Sequence, residues 1–293
     1  MTTRGLLLSF MFAWLWCTPS IALAENGHPQ VPVLIYHEIG NPDRPPGETV
    51  ISLSSFAEQM AYLKREGYTT ISISDLLEYM AGRTSVPAKA VVLTFDDGWK
   101  NQLQAVPILN RYGFSASFWI IIEKGIGGDY MEWDDIKQIA ANPRFEIGSH
   151  TLTHPWDPFD NLVTWVEGHI AGKDTAQALK ELVDSKTAIE QRLRRPVDYL
   201  AWPVGWFKET LVNLARTAGY KAVLTAEDGG NTQGEDVYRI KRIFIDGGCD
   251  IHQFQQSLTD HRYHVCSHAP RVTHGHSPYP YQSGLPEPAN WRQ

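Results

Sequence analysis

Eight short runs of apolar and β-branched residues, at 33–37, 69–73, 90–95, 115–122, 145–149, 199–202, 221–225 and 242–245, alternate along the chain with stretches of helical periodicity. Parallel strands cannot be joined by a tight turn, so strands separated by helix-length segments call for a parallel sheet with crossover helices. The fold class this predicts is α/β, a distorted (β/α) barrel with seven to eight parallel strands. About 270 residues remain once an N-terminal leader is set aside, a length that suits one barrel, and no internal repeat divides them. Ser54 or Ser55 is placed to cap a helix carrying Phe56, Met60 and Leu63 and ending at Gly67, and Ser74 to cap a second with Asp75 in its first turn and Leu76, Leu77 and Met80 inward. The longest amphipathic run, 174–193, turns Ala178, Leu182, Ile189 and Leu193 to one side, and 251–258 reads as a short terminal helix.

The run Val91-Val92-Leu93-Thr94-Phe95 ends in Asp96-Asp97-Gly98. Adjacent side chains on a strand point to opposite faces, so the two acids share a site only if the chain bends at the strand end, which Gly98 permits. Like charges that close raise one pKa unless a cation lies between them. A ligand set for such a cation follows another apolar run: His150 and His154 stand four apart, a spacing that on a helical turn puts both rings on one face. Two imidazoles and one carboxylate with open positions describe a catalytic metal site.

Thr94 to Gly98 together with His150 to His154 resembles the first two motifs of the NodB-homology polysaccharide deacetylases, carbohydrate esterase family four. The resemblance implies that Asp96 is the general base and that Asp97, His150 and His154 bind a divalent metal, Zn2+ first, with Co2+, Ni2+ or Fe2+ as alternatives. The family's third motif, Arg-x-Pro-x-Gly, is matched by Ala201-Trp202-Pro203-Val204-Gly205, which keeps Pro203 and Gly205 but lacks the arginine that pairs with the base. Arg242 is the candidate replacement, against ordinary pairing at the rim. The backbone near Val204, with Trp202 and Pro203, is the candidate oxyanion and substrate region.

The family's catalytic acid is a histidine in a Leu-x-His motif on its last strand, and no such motif follows Ile245. Ile35-Tyr36-His37 closes the chain's first strand instead. A histidine ending an apolar strand is by default a core or rim group. Here it is similar to that motif moved by circular permutation, as in the branch that deacetylates poly-β-1,6-N-acetylglucosamine. His37 is then the implied general acid, the fold is of the circularly permuted NodB-homology type, and the resemblance covers about 31–247. Trp156, in the Trp-rich loop after His154, and Trp206, after the third motif, either stack on sugar rings or pack loops against the barrel.

Residues 1–24, with Arg4, an apolar run from Leu6 to Trp16 and small residues at Ala22 and Ala24, read as a secretory signal, with an uncleaved anchor as the alternative. The expected organisation is a signal at 1–24, a deacetylase barrel at 25–250, and a short helix with a flexible His/Pro-rich tail at 251–293. In that tail His261, His264, His268, His274 and His276 are expected to be solvated. The expected location is the periplasm or the exterior, with no transmembrane segment after cleavage. Loss of Arg4 takes the formal charge from −7 to −8, which argues against a nucleic-acid partner. Cys249 and Cys266 would survive maturation, as a disulfide or as two free thiols. The expected partner is an N-acetylglucosamine-containing polysaccharide, and an exopolysaccharide export complex is a further candidate. The function expected is exported, metal-dependent N-deacetylation, with poly-β-1,6-N-acetylglucosamine first. Peptidoglycan or chitin-type chains, small amides or O-acetyl esters, and a non-catalytic carbohydrate-binding role are the alternatives.

Overall fold

The computed structural model describes residues 27–123 and 126–266, so the leader at 1–24 and His268, His274 and His276 lie outside the described residues. In chain order the elements are β1 (Val31–Tyr36), β2 (Glu38–Ile39), β3 (Val50–Ile51), α1 (Leu53–Arg65), β4 (Thr69–Thr70), α2 (Ile73–Met80) and β5 (Ala90–Phe95). There follow α3 (Ala105–Tyr112), β6 (Ala116–Ile120), α4 (Trp133–Ala141), β7 (Phe145–Ser149), α5 (Leu162–Val166) and α6 (Thr175–Leu193). The chain continues through β8 (Tyr199–Ala201), α7 (Glu209–Thr217), β9 (Ala222–Leu224), β10 (Gly230–Asn231), β11 (Ile243–Phe244) and α8 (Ile251–Asp260). Short 3-10 turns lie at Lys100–Gln104, Pro203–Gly205 and Val237–Arg239.

The strands pair in the order β10-β1-β5-β6-β7-β8-β9, with β11 parallel to β1 and β4 parallel to β5, and only β10 antiparallel to its neighbour β1. Ile240 bridges Leu224 of β9, and three residues later Ile243 joins Leu34 of β1. One short segment thus touches both ends of the curled sheet, which is the distorted (β/α) barrel expected from the alternation.

Alternation along each strand divides the side chains between two apolar clusters. Leu34 and Tyr36 of β1, Leu93 and Phe95 of β5 and Phe118 and Ile120 of β6 face the helices, packed with Phe56, Met60 and Leu109. Val31 and Val33, Ala90 and Val92, and Trp119 point the other way into the barrel with Ala201, Leu224 and Ile240. The same parity continued one residue past β1, β5 and β7 carries His37, Asp96 and His150 inward, and one residue before β11 it does the same for Arg242.

Helix starts differ from the expectation. Ser52 caps α1 by accepting from Ser55 N at 3.0 Å, and α1 ends at Arg65, before Gly67. Ser72, rather than Ser74, caps α2, because its hydroxyl and the Asp75 carboxylate satisfy each other's backbone N–H in a capping box. That box begins the helix where the strand at 69–73 was expected to continue. Tyr79 takes the buried place anticipated for Leu77, which is half-buried. Asp174 caps α6, and Ala178, Leu182 and Ile189 are buried as its stripe predicts. β2, β3 and β10 were not foreseen, since two residues carry no readable period.

The chain after α8 corrects the expected solvated tail at one position. His261 ends α8 in the left-handed conformation and is buried, and Cys266 is joined to Cys249 by a disulfide with a Cα–Cα distance of 4.9 Å. No helix among the described residues is long and apolar enough to cross a membrane.

Gly148 on β7 marks a tight point of the interior. A Cβ there would meet the fully buried Trp119 ring at 1.9 Å, so the indole occupies the space of the missing side chain. Gly148→Ala is expected to destabilise the fold by about 1–3 kcal/mol through overpacking. Urea unfolding should show a lower midpoint with an unchanged slope.

Candidate active site and metal centre

The carboxyl ends of β1, β5, β7 and the β11 segment converge on one small cavity. His37, Asp96, His150 and Arg242 line it together with Ile35 and Phe244. All four polar side chains are buried, with His37 at 5%, Asp96 at 3%, and His150 and Arg242 at 1% exposure.

Strand parity would turn Asp97 away from this cavity. Asp97 does not line it, yet it stays close by, because Asp97 itself adopts φ 73°, followed by Gly98 at φ 78°. The bend expected at Gly98 begins one residue earlier. Aspartate is among the few residues that enter the left-handed region at low cost. The turn swings the Asp97 carboxylate back beside the imidazoles.

The two histidines reach it by a route other than the helical turn their spacing suggested. Residues 150–154 form a loop after β7, with Thr151 at φ 69° and His154 at φ 52°. The rings nevertheless lie 4.7 Å apart, because the left-handed residues fold the loop back on itself. His150 Nε2 is 3.4 Å and His154 Nε2 3.5 Å from Asp97 Oδ1. The three candidate ligand atoms fall within 4.8 Å of one another.

This arrangement fits a divalent ion. Zinc bound at about 2.0–2.2 Å to nitrogen and carboxylate ligands brings those atoms to roughly the separations found here. Asp97 Oδ1 is buried without a hydrogen-bond partner, an arrangement that is costly unless a cation or a charged ring compensates it. His150 Nδ1 lies 2.9 Å from Ala201 O, so its proton sits on Nδ1 and Nε2 presents a lone pair to the Asp97 side. Asp97 Oδ2 is held by Trp99 Nε1 at 2.9 Å, and the Trp99 ring stacks on Tyr130 at 4.4 Å.

Asp96 is fixed differently. Arg242 grips it in bidentate fashion, Nη1 to Oδ1 at 2.7 Å and Nη2 to Oδ2 at 2.9 Å. Arg242 Nε donates to Thr225 O at 2.7 Å, and Nη1 also lies 3.4 Å from Thr94 Oγ1. Of the two readings open for Arg242, the structure places it against Asp96 rather than at the rim.

Burial pushes the Asp96 carboxyl up, but the Arg242 charge, then His150 and His37, hold it below the ordinary range. Asp97 is likewise pushed up by burial and brought well below by contact with His150 and by the His37 and His154 charges. Burial lowers His37, against the opposing pull of Asp97 and Asp96. Burial also takes His154 down to about 4, with His150 adding to it. In His150 burial acts downward too, yet Asp97 and Asp96 carry the net shift upward.

The turn after β8 closes the cavity. Trp202, Val204, Gly205 and Ala226 line it, while Pro203 is buried behind them. Val204 holds φ 51°, which a β-branched residue adopts only under constraint. The constraint is visible at Gly205, where a Cβ would meet that of Ala226 at 2.4 Å. The Trp202 indole is fully buried and its Nε1 has no hydrogen-bond partner. Trp206 lies outside the cavity lining and packs, half-buried, on the outer apolar cluster. Trp156 is 38% exposed on the loop after His154, paired through a bridge with Asn161.

Two residues near the site had no sequence argument. Trp99 sits two positions from Asp97, and that proximity was the available signal. Gln102, fully buried, donates from Nε2 to both His37 O (2.9 Å) and Asp96 O (2.6 Å), joining the ends of β1 and β5. Only the meeting of those strands gives it meaning.

Removing one partner of the Asp96–Arg242 pair strands a buried charge. Arg242→Met is expected to cost about 3–5 kcal/mol. Arg242→Met with Asp96→Asn should cost less than Arg242→Met alone, and a double-mutant cycle by urea unfolding measures the difference.

Residues 83–223 match the family model described as polysaccharide deacetylase. Over 222 residues the chain is 26% identical to YxkH of Bacillus subtilis (strain 168), whose name places it provisionally among polysaccharide deacetylases, covering 75% of this chain and 72% of that protein. It is 24% identical over 239 residues to the poly-beta-1,6-N-acetyl-D-glucosamine N-deacetylase of Escherichia coli (strain K12), covering 71% of this chain and 35% of that much longer relative. In fold it is similar to a Streptococcus pyogenes deacetylase solved in complex with acetate, with a TM-score of 0.67 at 21% identity over 78% of this chain and 98% of that one. IcaB from Ammonifex degensii aligns with a TM-score of 0.66 at 24% identity, covering 78% of this chain and 95% of that one.

Proposed function

We propose, from the premise that this chain belongs to the NodB-type polysaccharide deacetylases, that it is a metal-dependent hydrolase removing acetyl groups from N-acetylglucosamine units, with poly-β-1,6-N-acetylglucosamine as its first substrate. The observation that carries this reading is the meeting, at the carboxyl ends of neighbouring parallel strands, of an arginine-held carboxylate, the His37 imidazole and a three-atom ligand cluster whose His150 also lines the cavity. The choice of polymer is supported by the names of relatives in Escherichia coli and Staphylococcus aureus. It is supported as well by the position of His37 directly after the first strand, which pairs with β5.

In this proposal Asp97, His150 and His154 hold the divalent ion, with zinc the first choice. When bound, it would polarise the acetamide carbonyl and acidify water at the site. Asp96, kept anionic by Arg242, accepts the proton from the attacking water. His37 protonates the departing amine, without which an amine leaves poorly. Backbone at the Val204 turn faces the oxygen on which charge develops, and the indole N–H of Trp202 is a second donor there. The products are acetate and a glucosamine unit. Trp156 is assigned to the sugar chain beyond the scissile residue.

Export beyond the cytoplasm belongs to the same proposal. The pattern at 1–24 supports it, and so does the Cys249–Cys266 disulfide, since such bonds persist in oxidising compartments. Residues 25–250 are taken as the catalytic unit.

The test is acetate release from a β-1,6-N-acetylglucosamine oligomer. Zinc-loaded wild type should release it, and Asp96→Asn and His37→Ala should each fall about 10²–10⁴-fold at unchanged zinc content. Wild-type-like turnover by His37→Ala would remove the permuted acid from the proposal. Stripping the ion with a chelator should abolish release, and adding zinc back should restore it. Failure of a zinc-containing wild type on this oligomer, together with release from chitin or peptidoglycan fragments, would reassign the substrate.

A further inference from the structure

The loop bearing both candidate histidine ligands has no helical ladder, and its backbone donors are satisfied one by one. His150 N donates to Ile120 O at 2.9 Å, Thr151 N to Ser149 Oγ at 3.1 Å, and His154 N to Thr151 Oγ1 at 3.1 Å. Thr153 N donates instead to Glu181 Oε1 at 2.5 Å, and Thr153 Oγ1 donates to the same oxygen at 3.0 Å. Leu152 N–H and the Thr151 hydroxyl also act to lower the pKa of this carboxylate.

Glu181 comes from α6, where it is 5% exposed on the stripe formed by Ala178, Leu182, Ser185 and Ile189. A carboxylate on such a face is costly to bury, and here burial raises its pKa against the opposing effect of the loop donors. Among the described residues the cluster of potential metal ligands consists of Asp97, His150 and His154, so Glu181 stands behind the centre rather than in it.

The three ligands are not equally secured. His150 directly follows β7 and is tethered by Ala201 O, and Asp97 is tethered by Trp99. His154 lies at the far end of the loop, past the left-handed Thr151, and its side chain is the most exposed of the three at 16%. Left-handed backbone at a β-branched residue persists only where the surroundings over-determine it.

We propose that Glu181 is the positioning residue of the metal centre: by bonding the 151–153 backbone and hydroxyls it fixes the loop that presents His154 to the ion. This rests on the reading that Asp97, His150 and His154 hold a divalent metal. The interaction is made entirely by this chain.

The experiment is zinc titration of the purified full chain, stripped of metal, in competition with a chromophoric chelator. Glu181→Leu should bind zinc about 10–100-fold more weakly, the range for removing an outer-shell support. Glu181→Gln, which keeps one acceptor but offers an amide N–H to a donor, should lose less. Thermal melting of the metal-free proteins identifies folded variants, and Glu181→Gln decides the matter alone if the leucine variant does not fold.

In a His154→Ala background Glu181→Gln should weaken zinc binding no further, because the support has lost what it positions. Affinity within twofold of wild type in every folded Glu181 variant overturns the proposal, as does an equal loss in the His154→Ala background, which marks a general structural role. A folded wild type that binds no zinc overturns the metal reading itself, an outcome distinct from a wild type that binds and Glu181 variants that match it.

Discussion

The buried pair between Asp96 and Arg242 is the interaction on which the architecture and the chemistry both depend. An ionised carboxylate at 3% exposure is untenable without a partner, and the bidentate fork of arginine supplies one at 2.7 and 2.9 Å. The same guanidinium bonds Thr225 O, just beyond β9, and approaches Thr94 on β5. It therefore spans the seam at which the curled sheet meets itself, where Ile240 bridges β9 and Ile243 joins β1. Closing the barrel and holding Asp96 anionic are one event.

Around that pair the fold contains several buried acids and treats each by a different physical means. Asp96 has a fixed cation. Asp97 has two imidazoles, an indole N–H on its second oxygen, and geometry that fits a metal ion. Glu181 has backbone and hydroxyl donors of a loop. Three compensations of different kind let negative charge accumulate in a small volume without mutual protonation, which a single cation could not do.

Backbone strain follows the same map. Six described residues other than glycine adopt positive φ, and Asp97, Thr151, His154 and Val204 of these belong to the candidate site. Each departs from the regular course of a strand end: Asp97 turns back, Thr151 and His154 fold the loop, and Val204 bends the chain over the cavity. Strain of this kind is retained where surrounding packing and hydrogen bonds fix it, as Ala226 does against Gly205 and Glu181 does against Thr153.

The sequence by itself determined the parallel barrel, because strand-like runs separated by helical periods leave few other arrangements, and it marked titratable residues that gather at the candidate site. Asp96, Asp97, His150, His154 and His37 are legible as apolar runs ending abruptly in titratable groups, and α6 is legible in its stripe. Helix caps were displaced by two or three residues, since neighbouring serines compete for a cap that only local hydrogen bonding awards. Tertiary structure alone decided that Arg242, 146 positions from Asp96, is its partner. It alone decided that the two histidines meet through a left-handed loop rather than a helix, and that Trp99 bonds Asp97, Gln102 bonds the ends of β1 and β5, and Glu181 bonds the loop at 151–153. The reason is common to all of them: a strand's period and a motif's spacing are local properties, whereas the pairing of a buried charge depends on which distant segments the closed sheet brings within 3 Å, on the order of one hydrogen bond.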